Sequence, residues 1–337
     1  MPREDPVNQS RCNVGADRPT RRRFLGTTLA VASASVVARV VAGDPESKLL
    51  MPAGIPQSRV VRTRSAEVVV GATVHGTLLK EMIASAVVVL TGTESVREAW
   101  QSMFSSDDVI GIKFNRSGST HVGTSPAMAA ALLDSLIDAG WQPRQLVCIE
   151  APDGIEQEFG TTPAIPGYDP VETDFGSGRD HLAAVLDQVT AIINVPFLKT
   201  HNIAGLTCAM KNLSHGLIKH PARFHRNGCS PFIADIVSLP KIRSKLRLCL
   251  VDALRVVYDG GPVPIANTIS AEGTVLASTD PVAADSVGLT ILNEIRIKAI
   301  LPALAMSAEE IRHLAAAHRR GLGIAVRHGI EVIQQRL

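Results

Sequence analysis

Short apolar runs of strand length alternate along the chain with stretches of helical periodicity. The runs that predict strands are residues 68–70, 109–114, 146–150, 191–195, 246–251 and 274–277. Helical periodicity covers residues 95–103, 125–139, 181–188, 281–293, 308–319 and 326–335. This alternation predicts an α/β fold with a mostly parallel sheet and helices on both faces, a three-layer, Rossmann-like arrangement.

Several segments refine this reading. Ser125-Pro126 is a helix start with Ser as the cap and Pro in the first helical position, and Gly140 is a stop. The apolar run at residues 84–90 fits either a strand or a buried helical turn. Residues 151–178 are polar and long for a connection, so we interpret them as an insertion or a lid, and they leave room for a smaller subdomain.

The N-terminus carries the features of a twin-arginine export signal. Arg21-Arg22-Arg23-Phe24-Leu25 precedes an apolar run at residues 26–38, which is too short to span a bilayer of about 30 Å. Small residues up to Ala42 suit a signal peptidase. We therefore predict a signal peptide at residues 1–42, a linker at 43–57 and an α/β domain at 58–337. The expected partner is the twin-arginine (Tat) translocation machinery, and the expected location is the periplasm or another extracytoplasmic compartment.

Removing the signal changes the charge of the protein. Residues 1–42 hold seven of the 34 basic and three of the 32 acidic side chains, which leaves 27 basic and 29 acidic ones. A nearly neutral mature chain has no general field to attract nucleic acid, so we expect no nucleic-acid partner. Because residues 43–337 contain no apolar run of spanning length, we expect membrane contact only through the signal peptide.

Cysteine spacing argues against a cysteine-ligated cluster. Cys148, Cys208, Cys229 and Cys249 follow the signal, and no two of them form a Cys-x-x-Cys pair. The chain thus has no cysteine cluster for an iron–sulfur centre, and its cofactor is unknown at this point. Cys208 and Cys229 could pair in an oxidising compartment, which the sequence leaves open.

Polar side chains follow the predicted strands, where ligands bind in parallel sheets. The strand at 109–114 leads to Lys113 and Asn115, with Gly118 and His121 in the loop beyond. The strand at 191–195 leads to Lys199-Thr200-His201, followed by Lys211-Asn212 and then His225. Lysine, histidine and amide groups suit an anion and can move protons. We assign candidate catalytic roles to Lys199, His201, Lys211 and His225, and candidate substrate-binding roles to Lys113, Asn115, Thr200 and Asn212.

Acidic residues at other strand ends could balance these cations or hold a divalent metal. Asp252, Asp280 and Asp285 are the candidates. Asp280 before Pro281 is more typical of a helix N-cap, and Asp285 also fits a solvated helix position. His215 and His220 fit solvated surface residues better than metal ligands.

The residues around Lys199 resemble a known family. Asn194-Val195-Pro196-Phe197-Leu198-Lys199-Thr200-His201 with Ala209-Met210-Lys211-Asn212-Leu213 is similar to the family called domain of unknown function 362 (DUF362), as are residues 109–115, 276–285 and 321–323 with 330–331. The resemblance implies a shared site around the same lysines, histidines and asparagines together with Asp252, Asp280 and Asp285. It also implies an association with iron–sulfur proteins, from which this chain departs because it lacks the cysteines.

Two functions fit these observations. The first is an exported enzyme that binds a small anion in a site lined by Lys, His and Asn at the carboxyl ends of the strands. The alternative is a non-catalytic ligand-binding module, or a partner in a periplasmic redox system associated with iron–sulfur proteins.

Overall fold

The computed structural model describes residues 58–116 and 123–337, so the predicted signal peptide and linker, and Gly118 and His121, lie outside the described residues. The strands are β1 (Ser58–Arg64), β2 (Val69–Val70), β3 (Thr73–Val74), β4 (Ile110–Lys113), β5 (Leu146–Ile149), β6 (Thr173–Asp174), β7 (Arg179–Asp180), β8 (Ala191–Asn194), β9 (Phe197–His201), β10 (Gly205–Thr207), β11 (Leu246–Val257), β12 (Ile269–Ser278) and β13 (Ile330–Arg336).

The described helices come between these strands. They are α1 (Gly76–Thr91), α2 (Val96–Met103), α3 (Pro126–Asp138), α4 (Ile155–Phe159), α5 (Ala209–Ser214), α6 (Phe232–Val237), α7 (Pro240–Arg243), α8 (Pro281–Lys298) and α9 (Arg312–Arg319). The run at residues 84–90 lies within α1, so the helical alternative is the one that forms.

The main sheet has the order β13-β1-β12-β11-β8-β4-β5. Strands β5, β4, β8 and β11 are mutually parallel, and β1 is parallel to β13. β12 is antiparallel to both of its neighbours. β9 pairs in parallel with β11, and β10 pairs antiparallel with β9. The predicted α/β fold with a mostly parallel sheet is therefore confirmed.

Helices cover both faces of the sheet. One apolar core contains side chains of α1, α2 and α3, and the other contains side chains of α5, α6, α8 and α9. Neighbouring residues of β8 point to different cores, Ile192 to the second and Ile193 to the first. This alternation explains why the parallel strands are apolar at successive positions.

Capping determines where two of the predicted helices begin. The Ser125 side chain accepts a hydrogen bond from the backbone N–H of Met128, and Pro126 takes the first position of α3. Ser95 caps α2 in the same way through Glu98 N–H. Both helix starts are those predicted from the sequence.

Four of the predicted element assignments need correction. Residues 326–335 were predicted as a helix, but most of them form β13, because pairing with β1 satisfies their backbone groups in the sheet. Residues 181–188 form only a 3₁₀ turn at Ala184–Asp187. Lys199, Thr200 and His201 lie on β9 instead of in a loop. Strand β11 continues to Val257, so Asp252 lies inside it instead of at its end.

The polar segment 151–178 contains α4 and β6, and β6 pairs antiparallel with β7 directly after it. All described residues belong to one compact unit, Met51–Leu337.

Among the described helices, none taken singly has the length and hydropathy of a membrane span. The bent pair α1 and α2 meets that criterion by length and composition alone.

Candidate functional site

A cavity of about 630 Å³ opens beyond the carboxyl end of β4, between β9, β10 and α5. We call it the Lys211 cavity. Its lining includes five residues predicted from the sequence, namely Asn115, His201, Lys211, Asn212 and His225. It also includes Arg116, Glu150, Tyr168, Thr207, His215, Gly216, Ile218, Lys219, Pro221 and Pro262.

Asn212 holds the floor of the cavity together. Its Oδ1 accepts hydrogen bonds from Lys113 Nζ at 3.2 Å and Asn115 Nδ2 at 2.9 Å. Its Nδ2 donates to Asn194 Oδ1 at 2.8 Å and to the Lys113 carbonyl at 3.2 Å. All four hydrogen-bonding positions of the amide are used, so Asn212 links β4, β8 and α5.

Lys113 is fully buried beneath this floor. Its Nζ donates to the Phe114 carbonyl at 2.7 Å, to Glu150 Oε2 at 2.9 Å and to Asn212 Oδ1. Burial lowers the pKa of Lys113, whereas the charge of Glu150 opposes that shift. With three acceptors around it, Lys113 positions Asn212 and Glu150 and is not among the residues that line the cavity.

Lys211 lies in the cavity wall beside His225. Its Nζ is 3.2 Å from Nε2 of His225, and Nδ1 of the same ring is 3.0 Å from the Pro221 carbonyl. A carbonyl can only accept, so Nδ1 carries the proton and Nε2 accepts from the lysine. Burial lowers the pKa of Lys211 to about 8. Burial and the Lys211 charge also lower the pKa of His225, which favours its neutral form.

Lys199 lies behind this wall on β9, buried and paired in register with Thr207 of β10. Burial and the positive charge of Lys211 lower the pKa of Lys199 to about 8, whereas the negative charge of Glu150 opposes that shift. The charge of Lys211 therefore acts on Lys199, although Lys199 does not line the cavity. Thr200 faces away from the cavity, because its Oγ1 accepts from Gly261 N–H at 3.0 Å.

His201 presents one defined ring nitrogen to the cavity. Its Nδ1 accepts from the backbone N–H groups of Ile203 and Ala204, each at 3.2 Å. Burial, with the charges of Lys211 and other neighbours, lowers the pKa of His201 to about 3. The neutral ring must then carry its proton on Nε2. This geometry favours a hydrogen-bond donor over the predicted proton-transfer role.

The three acidic candidates lie away from the Lys211 cavity. Asp280 caps α8 by accepting from Val282 and Ala283 N–H, which is the N-cap alternative. Because β12 runs antiparallel to β11, its carboxyl end, just before Asp280, lies at the amino ends of the parallel strands. The carboxyl end of β4 lies at the other end of the sheet. Asp285 is fully buried and accepts from Ala209 N–H at 2.6 Å and Met210 N–H at 3.3 Å, so it caps α5 and is not solvated. Neither residue lines the cavity, and the role predicted for them, to balance cations or hold a divalent metal, stays a prediction.

Asp252 lines a second cavity of about 830 Å³ that shares Asn115, Arg116 and Glu150 with the first. Its oxygens accept from Ser125 N–H and Leu254 N–H, both at 3.2 Å. Burial raises the pKa of Asp252 to about 6. These hydrogen bonds join β11 to the start of α3, which is a structural role.

Some residues of the site could not be recognised from the sequence. Glu150 was predicted only as the last residue of a strand, and Asn194 only as part of a buried one. His215 was predicted to be solvated, yet it is 9% exposed and lines the cavity. Burial and the charges of Lys211 and His225 lower the pKa of His215 to about 2, and the Phe224 backbone opposes this shift. His220 is exposed as predicted, but it is held 2.8 Å from buried Asp180.

The cysteines do not fit an iron–sulfur cluster. Within residues 58–116 and 123–337, Cys148, Cys208, Cys229 and Cys249 are buried free thiols. One group of side chains in this part of the chain has the spacing of a metal site, and it contains Cys229 with two histidines. A single thiolate cannot replace the four ligands that such clusters normally take.

Comparison with known proteins supports the resemblance seen around Lys199. The family model described as Domain of unknown function (DUF362) matches residues 164–290. This match includes Lys199, Lys211 and His225, whereas Lys113 and Asn115 lie before it. A search of curated proteins gave no match.

One solved structure is similar in part. It is a crystal structure of a protein from Thermotoga maritima, 11% identical, with a TM-score of 0.34. The alignment covers 69% of this chain and 61% of that protein. The chain thus spans about three fifths of the length of that protein.

Proposed function

We propose that this chain is an exported DUF362 enzyme that acts on a small anionic substrate in the Lys211 cavity. The observation that carries this proposal is the buried Lys211 ammonium beside His201 and His225. Placing a lysine where burial opposes its charge is costly unless an anion compensates it. A phosphate, a carboxylate or an enolate-like oxygen would supply that charge.

The charges around the cavity support an anion. Its lining has three cationic side chains, Arg116, Lys211 and Lys219, and one acidic side chain, Glu150. Glu150 already accepts from the Lys113 ammonium, and Arg116 is paired with Asp153, which leaves Lys211 and Lys219. The lining therefore has an excess of positive charge, with the neutral rings of His201 and His225 as further polar groups.

These groups suit proton transfer next to an oxyanion. A substrate anion that takes the Lys211 ammonium would release Nε2 of His225 as a proton acceptor. The Nε2–H of His201 would donate to the oxygen on which negative charge develops. The two rings are stacked with their centroids 5.4 Å apart, so donor and acceptor belong to adjacent side chains of the lining.

Thermal unfolding tests the binding step. Inorganic phosphate, acetate and pyruvate are each added to the wild type, to Lys211→Met and to Lys298→Met, whose lysine is exposed at the end of α8. We expect one anion to raise the melting temperature of the wild type and of Lys298→Met but not of Lys211→Met. At ten times Kd the gain is about 1.4 kcal/mol. If no anion stabilises the wild type, or Lys211→Met responds equally, the proposal fails.

Exchange of the pyruvate methyl protons in D₂O tests catalysis. An exchange rate above that of Lys211→Met supports the enzyme. Binding without exchange would instead support the alternative, a ligand-binding module. The same site would then act in recognition and not in chemistry.

Export is proposed from the signal at residues 1–42. Its support is the order of Arg21-Arg22-Arg23, Phe24-Leu25, the apolar run and the small residues before Ala42. The mature enzyme would then work in the periplasm or another extracytoplasmic compartment.

A further inference from the structure

His215, His225 and Cys229 lie together at one side of the Lys211 cavity. One potential ligand atom from each residue lies within 4.8 Å of those of the other two. His215 opens the 3₁₀ turn His215–Leu217 directly after α5. His225 lies between the turns Pro221–Phe224 and Arg226–Cys229, and Cys229 ends the second of these. The spacing of 10 and then 4 residues is set by these turns, so no sequence motif reveals it.

Both histidines carry the ring proton on Nδ1, so Nε2 is the nitrogen that can bind a cation. In His225, Nδ1 donates to the Pro221 carbonyl. In His215, Nδ1 is 3.2 Å from Ser214 Oγ, and that hydroxyl donates to the Met210 carbonyl at 3.0 Å, so it accepts from the ring. Nε2 of His215 is buried and has no hydrogen-bond partner. A buried lone pair without a donor indicates a missing partner.

We propose that His215, His225 and Cys229 form a binding site for a transition-metal ion, of which Zn²⁺ is the representative. Two imidazole nitrogens and one thiolate are ligands that zinc prefers and that calcium and magnesium do not. Each ring already donates its Nδ1–H to an oxygen, as the second nitrogen of a metal-binding histidine usually does.

The three ligand atoms must move closer together to hold a metal ion. Zinc bonds of 2.0–2.3 Å in a tetrahedral arrangement place ligand atoms about 3.4–3.6 Å apart. The three residues supply three ligands, and because His215 and His225 line the cavity, the fourth position faces it. An open fourth position would allow a solvent molecule or an anion to reach the metal.

Lys211 competes with the metal. Its Nζ is 3.2 Å from His225 Nε2 and must move away before that nitrogen can bind a cation. Removing the ammonium should therefore strengthen metal binding, which is the opposite of the loss expected when a ligand is removed. This difference separates a site at these residues from nonspecific binding elsewhere.

Co²⁺ and Zn²⁺ titrations of the purified chain under reducing conditions test the proposal. We expect one ion per chain and a thiolate-to-cobalt charge-transfer band. Cys229→Ser should abolish that band, and His215→Gln should weaken Zn²⁺ affinity at least about 10-fold. Lys211→Met should bind more tightly than the wild type. Cys148→Ser and His220→Gln remove a cysteine and a histidine outside the group and should bind normally.

Several results would overturn the metal site. One is that the wild type binds no stoichiometric metal. Another is that the charge-transfer band survives in Cys229→Ser, and a third is that His220→Gln and His215→Gln lose Zn²⁺ affinity equally. Thermal unfolding without metal shows whether each variant is folded, and His225→Gln gives a second ligand variant if Cys229→Ser is not. Failure here leaves the anion-dependent stabilisation of the proposed function untouched, so the two ideas fail separately.

Discussion

The ammonium of Lys211 lies 3.2 Å from Nε2 of His225, and the Pro221 carbonyl fixes the proton of that ring on Nδ1. Lysine is thus the donor in this pair and histidine the acceptor. The pair combines a cation that can bind an anion with a neutral base that the anion would release. Because Lys199 is also buried nearby, the charge state of the two lysines should influence the stability of the whole domain.

Between pH 8 and 10, Lys199 and Lys211 should each contribute a rise with pH to the free energy of unfolding, which the buried cysteines with their raised pKa values oppose. The pKa values of Lys199 and Lys211 are about 8 in the fold, below the ordinary value of 10.5. Between these values the two lysines bind more protons in the unfolded chain than in the folded chain, so their contribution to stability rises with pH. The slope is at most about 1.4 kcal/mol per pH unit for each lysine.

Urea unfolding at pH 8, 9 and 10 measures this slope. Lys211→Met should lower it by the share of one lysine, whereas Lys298→Met should keep the slope of the wild type. Identical slopes in all three proteins would show that Lys211 is not destabilised in the fold.

Two substitutions of His201 separate its two ring nitrogens. Asn places an oxygen near the position of Nδ1 and can keep the bonds from Ile203 and Ala204 N–H. Gln places an amide N–H nearer the position of Nε2, but it leaves no acceptor for the N–H groups of Ile203 and Ala204. We expect His201→Gln to be about 1–2 kcal/mol less stable than His201→Asn. His201→Asn should lose more of the anion-dependent shift, and the reverse order in both measurements would contradict the assigned tautomer.

The sequence allowed much of the site to be predicted because its residues lie in short local motifs. Lys113 ends the parallel strand β4, and the antiparallel return of β10 along β9 brings Lys211-Asn212 of α5 back to it. His215 and Cys229 could not be placed in this way. Their positions depend on irregular 3₁₀ turns, in which burial follows tertiary packing and not a period of 2 or 3.6 residues.

Strand direction explains why Asp280 lies away from the Lys211 cavity. Asp280 follows a strand just as Asn115 does, and the sequence pattern treats the two alike. The direction of β12 is set by its pairing with β11 and β1, which are distant in sequence. A similar long-range pairing with β1 makes residues Ile330–Arg336 a strand despite their helical periodicity.

Export should depend on the arginine pair. Replacing Arg21, Arg22 and Arg23 together by Lys keeps the charge but removes the guanidinium groups that the translocation machinery reads. All three must change because Arg22-Arg23 can serve in a shifted register. We expect full-length precursor in the cytoplasm for the variant, and a shorter form that starts near Gly43 outside the inner membrane for the wild type. Uncleaved wild-type protein in the cytoplasm would refute export.

Gly216→Ala should damage the floor of the Lys211 cavity. A Cβ at this position would lie 2.6 Å from Lys113 Nζ and 2.8 Å from its Cε. Lys113 cannot easily give way, because it is fully buried and donates to Phe114, Glu150 and Asn212. We expect a loss of about 1–3 kcal/mol in the free energy of unfolding, measured in urea.

Gly76→Ala is the matched control, because a Cβ there meets no atom within 4 Å at the start of α1, and we expect it to be neutral or slightly stabilising. Lys113→Met provides a second background for the same substitution. If the clash with Lys113 causes the loss, Gly216→Ala should cost clearly less when Lys113 is already Met, because a methionine has no ammonium to keep in place. An equal cost in both backgrounds would mean that Gly216 is required for the backbone of the turn and not for the lysine beneath it.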